Sequence, residues 1–146
     1  MYRLILSSAF LLFFGSQVLA AELTPDNIIG NYKVSARAGF MKVYLNFNVV
    51  SAQEFEIQRV YTSGRKDEVC KGKFDLNSHV FWDFDSLGAG KLFKGVFICP
   101  SKPDKPVDFN IDFKDKTTED LAKGTNVTVT SSLAPGRNIQ AHVKKH

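Results

Sequence analysis

Apolar and polar residues alternate along two clear stretches of the chain. In residues 41–49 every second position is Met, Val, Leu or Phe, and the positions between are Lys, Tyr or Asn. In residues 107–114 Val, Phe and Ile alternate with Asp, Asn and Lys. A period of two places one set of side chains on a buried face and the other in water. This pattern is typical of antiparallel sheets, because buried parallel strands are apolar on both faces.

The same reading predicts nine short strands separated by turn signals. We expect strands near residues 30–37, 41–50, 53–62, 68–76, 79–85, 91–99, 106–114, 125–133 and 138–143. Turn-forming residues cluster at 62–65, 86–90, 100–104 and 134–137. The sequence therefore predicts an all-β fold, an antiparallel meander of about eight or nine strands closed into a small barrel. A two-layer β-sandwich is the alternative, and the barrel is favoured because closure removes exposed strand edges.

One short helix is expected near residues 117–123. Thr117 or Thr118 suits its N-cap, Glu119 and Asp120 suit its first turn, and Gly124 suits its end.

The N-terminus has the pattern of a secretory signal peptide. Arg3 precedes an apolar run from Leu4 to Phe14, and small residues precede Ala21. We predict a signal peptide over residues 1–21, with cleavage after Ala20 or Ala21. The run is too short to cross about 30 Å of hydrocarbon, so no transmembrane segment is expected. Residues 22–146 then form a single domain, exported to the periplasm or secreted.

Charge is unevenly distributed along the chain. The formal net charge is +4, yet no acidic residue follows Asp120. We interpret the end of the chain as a short, solvated basic C-terminal tail, with weak attraction to anionic surfaces as a minor alternative. Nucleic-acid binding is not expected, because such proteins usually concentrate basic charge on one face.

Two cysteines, Cys70 and Cys99, are predicted to form a disulfide. An even pair in an exported chain normally closes. The chain has no Cys-x-x-Cys motif, and a catalytic thiol would leave the second cysteine unexplained.

The segment "DNIIGNYKV", residues 26–34, resembles the opening of calycin barrels, the lipocalins and their relatives. Those barrels begin with a short helical turn followed by Gly-x-Trp on the first strand. Gly30 matches the glycine, Asn31 follows it, and Tyr32 stands where the tryptophan would be. The resemblance implies a closed β-barrel. No ligand is transferred from it, because a shared fold does not determine function.

The segment "HVFWDFD", residues 79–85, combines aromatic and acidic residues. Alternation places Val80, Trp82 and Phe84 on the face that matches the core of the other strands. The sequence thus predicts that Trp82 lies in the core. The other face forms a candidate surface patch, consisting of His79, Phe81, Asp83 and Asp85.

Catalytic chemistry is poorly represented. His79 is the only histidine before residue 142, and we identify no catalytic residues, metal ligands or cofactor motif. "DFDSLG", residues 83–88, fails the calcium-loop pattern because Leu87 and Lys94 occupy ligand positions. Asn126 begins a glycosylation sequon, which matters only in a eukaryotic source. We therefore predict a protein that is not an enzyme.

Two binding functions remain open. The first is a carrier of an apolar small molecule in a lipocalin-like barrel. Its candidate cavity-lining residues are Tyr32, Phe47, Phe74, Trp82, Phe97 and Phe109. The alternative is a protein-interaction module, such as an exported inhibitor or an envelope-associated partner, which presents loops from a rigid base.

Overall fold

The computed structural model of the chain describes residues 20–146. The predicted signal peptide, apart from Ala20 and Ala21, lies outside the described residues. The elements in chain order are β1 (Gly30–Ala38), β2 (Met41–Val49), β3 (Glu54–Val60), β4 (Cys70–Asp83), β5 (Ser86–Cys99), β6 (Lys102–Lys114), α1 (Thr118–Lys123), β7 (Thr125–Ser131) and β8 (Ile139–Lys145).

Each strand pairs antiparallel with the next, and β8 pairs with β1, so the sheet closes into an eight-stranded barrel. The predicted all-β meander closed into a barrel is confirmed, and the alternative of a two-layer sandwich is wrong. Because the strands run alternately up and down, their connections fall at two opposite ends. The β1–β2, β3–β4, β5–β6 and β7–β8 turns share what we call the rim end. The plug end carries the β2–β3 and β4–β5 turns, α1 and the residues before β1.

Two of the nine predicted strands belong to a single long strand, β4. Residues 68–76 and 79–85 fall largely within β4, and residues 86–90, predicted to be a turn, begin β5. The two glycines that suggested a turn are required by close packing instead. A Cβ added at Gly88 would lie 2.5 Å from the ring of Phe81, and one added at Gly90 would lie 1.9 Å from the backbone oxygen of Lys114.

Phenylalanine rings fill the middle of the barrel. Phe74 stacks on Phe93 with ring centroids 4.4 Å apart, and Phe93 is fully buried. Phe47, Phe55 and Phe109 surround this pair in edge-on and tilted contacts. Aromatic pairs at such distances add to the stabilisation that area burial alone provides.

The residues before β1 close the plug end. Leu23 and Ile28 are buried there together with Leu121 of α1. The hydroxyl of Tyr32 donates a hydrogen bond of 2.6 Å to the backbone oxygen of Ile28. Burial raises the pKa of Tyr32 to about 12, because the charged phenolate would be poorly solvated.

The predicted helix near residues 117–123 is confirmed as α1. Thr117 is its N-cap, and the capping box is complete because the Asp120 side chain accepts a hydrogen bond from the Thr117 backbone N–H. That backbone bond, together with one from the Thr117 hydroxyl, lowers the pKa of Asp120. No helix within residues 20–146 is long and apolar enough to span a membrane.

The C-terminal residues are not a solvated tail. Residues 139–145 form β8, and the backbone N–H of His146 donates to the Asn31 oxygen at 2.8 Å. The prediction of a basic tail is wrong because Ala141 and Val143 have to pack in the core where β8 closes the barrel on β1.

The predicted disulfide between Cys70 and Cys99 is confirmed. The two residues begin β4 and end β5, and their Cα atoms lie 4.3 Å apart near the rim end.

Candidate binding surface

Strands β4 and β5 extend past their neighbours at the plug end. Strand β4 pairs with β3 only over residues 70–73, and β5 pairs with β6 only from Lys91 onward. The pairing of β4 with β5 nevertheless continues without interruption to Asp83 and Ser86. Residues 79–90 therefore project from the barrel as a two-stranded segment, which we call the ribbon.

One side of the ribbon is apolar and exposed. Alternation along β4 places Val80 and Trp82 on the same side as the core residue Phe74, and the register places Leu87 opposite Trp82. Trp82 is 78% exposed, Phe84 at the tip is fully exposed, and Val80 and Leu87 are mostly exposed. We call these four side chains the ribbon face. The prediction that Trp82, Val80 and Phe84 pack in the core is wrong, because the ribbon leaves the barrel before these residues are reached.

The tip of the ribbon has an unusual backbone. Phe84 and Asp85 connect the strands, and Phe84 has a positive φ of 55°. Glycine normally takes the first position of a two-residue hairpin loop with this feature. A left-handed conformation costs an L-residue roughly 1–2 kcal/mol. A large aromatic residue is thus held at a position where it lowers stability, which is a pattern found at functional sites.

The opposite side of the ribbon is covered. Phe81 is half-buried, its ring lies against Gly88, and the Nζ atom of Lys114 lies 5.4 Å from the ring centroid. The Nε2 atom of His79 lies 3.8 Å from a carboxylate oxygen of Asp112 on β6. The predicted surface patch is therefore split into two parts. His79 and Phe81 pack towards β6, whereas Asp83 and Asp85 are exposed at the tip of the ribbon.

Charge differs between the tip and the root of the ribbon. Asp83 and Asp85 flank Phe84, and neither forms an ion pair within the described chain. At the root, the Nζ atom of Lys91 lies 3.1 Å from the carboxylate of Glu22 and donates to the Ser78 hydroxyl at 3.1 Å. The ribbon face is consequently bordered by uncompensated negative charge.

The residues proposed to line a cavity lie in three different settings. Tyr32, Phe47, Phe74 and Phe109 are buried in the barrel, where their rings contact one another or Phe93. Phe97 is half-buried against Phe55 and Phe109. Trp82 lies outside the barrel. The structure thus brings five of the six together.

Three surface depressions lie on the outer wall of the barrel. One groove of about 650 Å³ runs over β1, β2 and β3. Its lining includes the polar side chains of Asn31, Lys33, Tyr44, Asn46 and Asn48.

Ligating side chains converge at only one place in residues 20–146, where Glu68 meets Cys70 and Cys99. Both sulfur atoms belong to the disulfide, and the Glu68 carboxylate accepts hydrogen bonds from the backbone N–H and hydroxyl of Ser101. The cluster is therefore committed to holding the β5–β6 turn.

Comparison of the chain with protein-family models, curated proteins and solved structures gives no match.

Proposed function

We propose that this protein is an exported interaction module that binds a partner protein through the ribbon face. The observation that carries the proposal is the exposure of four large apolar side chains, Val80, Trp82, Phe84 and Leu87, on and at the tip of the projecting ribbon. Contiguous exposed apolar surface on a soluble protein commonly marks an interaction site.

The composition of the ribbon face supports a protein partner. Tryptophan and other large aromatic residues contribute a large share of binding energy at protein interfaces, because they bury much area with few rotatable bonds. The strained backbone at Phe84 adds to this support, since glycine would adopt the positive φ with less steric cost.

The border of the ribbon face indicates the kind of partner. Asp83 and Asp85 favour a surface whose apolar groove is edged by Lys or Arg. Within residues 20–146, residues 75–83 of β4 have no strand partner on the β3 side, so the ribbon has one free strand edge there. A partner can therefore approach the tip from the face and from one edge.

The carrier function has less support. The aromatic rings inside the barrel contact one another across it. They therefore leave less room for a ligand than well-separated side chains would leave. Native mass spectrometry of the purified protein, together with displacement of a hydrophobic dye, tests this function directly.

Export remains part of the proposal. A closed disulfide is compatible with an oxidising compartment, and the N-terminal sequence suits a signal peptidase. Intact mass after expression in an exporting host should match cleavage after Ala20 or Ala21. A mass that retains residue 1 would contradict this part of the proposal.

Quantitative pull-down from the extracellular or periplasmic fraction of the source tests the interaction. The bait is the disulfide-bonded protein, compared with a Trp82→Ser/Phe84→Ser variant. The matched control is Phe40→Ser/Met41→Ser, which also removes two exposed apolar side chains but at the rim end.

We expect a specific partner to be lost with the ribbon variant and retained with the control. An Asp83→Lys/Asp85→Lys variant should weaken the same complex. Capture that is equal for all variants, or self-association revealed by sedimentation, would contradict the proposal.

A further inference from the structure

Three turns that are distant in sequence meet at the rim end of the barrel. They are residues 37–42 around the β1–β2 turn, 61–69 between β3 and β4, and 132–138 between β7 and β8. The β1–β8 register aligns Ala36 with Ala141, and the β2–β3 register aligns Tyr44 with Val60. The β1–β2 turn is therefore flanked by the other two.

The three turns carry an excess of basic residues. They contain five basic residues and two acidic ones, Asp67 and Glu68. The basic residues, all exposed, are Arg37, Lys42, Arg65, Lys66 and Arg137. Of the two acidic residues, Asp67 lies 3.9 Å from Arg65, and the Glu68 carboxylate accepts a hydrogen bond from the backbone N–H of Ser101. The other four basic residues form no ion pair within the described residues.

Large apolar side chains stand among these charges. Phe40 is fully exposed, Met41 is 64% exposed, and Leu133 is 73% exposed. Phe40 follows Gly39, whose φ of 64° allows the tight two-residue loop. We call this set of five basic and three apolar side chains the basic rim.

We infer that the basic rim docks the protein onto the surface of an anionic lipid bilayer. The basic side chains would meet lipid phosphates, and Phe40, Met41 and Leu133 would enter the interface between headgroups and acyl chains. Peripheral membrane binding depends on this combination of buried apolar area and attraction to anionic lipids.

The apolar tips favour a bilayer over a nucleic acid. Binding to a phosphate backbone is dominated by charge and requires no fully exposed aliphatic or aromatic tips. A bilayer, by contrast, removes such tips from water while the surrounding basic side chains stay at the headgroup level.

This inference does not depend on the function proposed for the ribbon face. The basic rim and the ribbon lie at opposite ends of the barrel, so both can be occupied at once. A protein docked by its rim would present the ribbon face away from the membrane.

Sedimentation with lipid vesicles tests the inference without any protein partner. The disulfide-bonded protein, with its N-terminus identified by intact mass, is mixed with phosphatidylcholine vesicles containing about one quarter phosphatidylglycerol. Vesicles of phosphatidylcholine alone provide the lipid control. We expect binding to the anionic vesicles that weakens as salt is added.

Two variants separate the contributions of charge and apolar contact. Arg37→Glu/Lys42→Glu should weaken binding at least about tenfold, since each basic residue near an anionic surface contributes roughly fivefold. Phe40→Ser/Met41→Ser should also weaken binding about tenfold, because two apolar insertions are lost.

Matched controls place the same changes elsewhere. Lys73→Glu/Lys94→Glu makes the same charge change at two exposed residues of the barrel wall. Trp82→Ser/Phe84→Ser removes two exposed apolar residues at the other end. Both controls should bind vesicles like the original protein. Each variant is first shown to have the original thermal midpoint and a closed disulfide.

Several outcomes would overturn the inference. These are equal binding to neutral vesicles, retention of binding by both rim variants, and an equal loss of binding with the control variants. Binding to a DNA duplex that is insensitive to Phe40→Ser/Met41→Ser, without binding to vesicles, would also overturn it.

Discussion

Trp82 and Leu87 stand directly opposite each other across the ribbon, and both side chains are mostly in water. Cross-strand pairs of this kind stabilise a hairpin only slightly, because their outer surfaces remain hydrated. The same pair inside the barrel would contribute to the core. Its position outside makes these two residues available to another molecule.

Trp82 is the only tryptophan in the chain, so its exposure can be measured directly. We expect acrylamide to quench its fluorescence nearly as well as that of free tryptophan. Trp82→Phe should change the free energy of unfolding by no more than about 0.5 kcal/mol. Strong protection of the tryptophan in the isolated protein would contradict the described ribbon.

Phe93→Ala should destabilise the protein by about 3–5 kcal/mol. The side chain is fully buried and stacked on Phe74, so its removal leaves a cavity among several rings. Chemical denaturation measures the change. Val96→Ala, on the outer side of the same strand and 43% exposed, is the control and should cost much less.

Phe84→Gly should raise the free energy of unfolding by roughly 0.5–1 kcal/mol, because glycine adopts a positive φ without the steric cost. The same change should weaken partner binding, which would reveal a trade between stability and function. Asp85→Gly serves as the control. Asp85 has no positive φ, so this substitution should lower stability. Equal effects of the two substitutions would argue against a strained loop.

The buried Tyr32 hydroxyl predicts a loss of stability at alkaline pH. Its pKa is about 12 in the folded protein against 10.0 for an unperturbed tyrosine. The folded state therefore keeps its proton more tightly, and this contribution is fully present below pH 10.0 and lost as the pH rises through about 12. The free energy of unfolding, obtained from denaturation at each pH, should therefore fall more steeply with rising pH for the original protein than for Tyr32→Phe. Parallel curves would contradict the assignment.

Reduction of the Cys70–Cys99 bond should lower stability by about 3–4 kcal/mol, as expected for closing a loop of this length. The bond joins residues separated by 29 positions. Alkylation without reductant should label neither cysteine, and alkylation after reduction should label both. A Cys70→Ala/Cys99→Ala variant should reproduce the loss, whereas labelling of the untreated protein would show that the bond is absent.

Alternation predicted the barrel well because burial on one face is a local property of each strand. Phe47 and Val49 of β2 and Phe109, Ile111 and Phe113 of β6 are buried as expected. Met41 was predicted on the same buried face but is 64% exposed, because it adjoins the turn at the rim end. The disulfide also followed from the sequence, since two cysteines allow only one pairing.

The ribbon could not be predicted in the same way. The alternation that aligns Trp82 with Phe74 is real, but burial at Trp82 depends on how far β3 and β6 extend beside it. Strand length relative to a neighbour is a tertiary property. The glycines at 88 and 90 carried a signal for close packing, which resembles the signal for a turn.

The basic rim was missed for a different reason. Its residues come from three turns that span about a hundred positions of sequence, and only barrel closure brings them together. Counting charges along the sequence draws attention to the basic residues after Asp120. Of these, only Arg137 lies in the basic rim.

The seam between β1 and β8 makes closure of the barrel depend on β8, the strand most distant in sequence from β1. Strand β8 pairs with the first strand of the barrel, so a chain that emerges N-terminus first keeps an open sheet until residues 139–145 are available. Contacts so distant in sequence form late and slowly. During that interval the edges of β1 and β7 can pair with other chains. Under the proposed export, the same delay would keep the chain unfolded long enough to be threaded through a translocation channel.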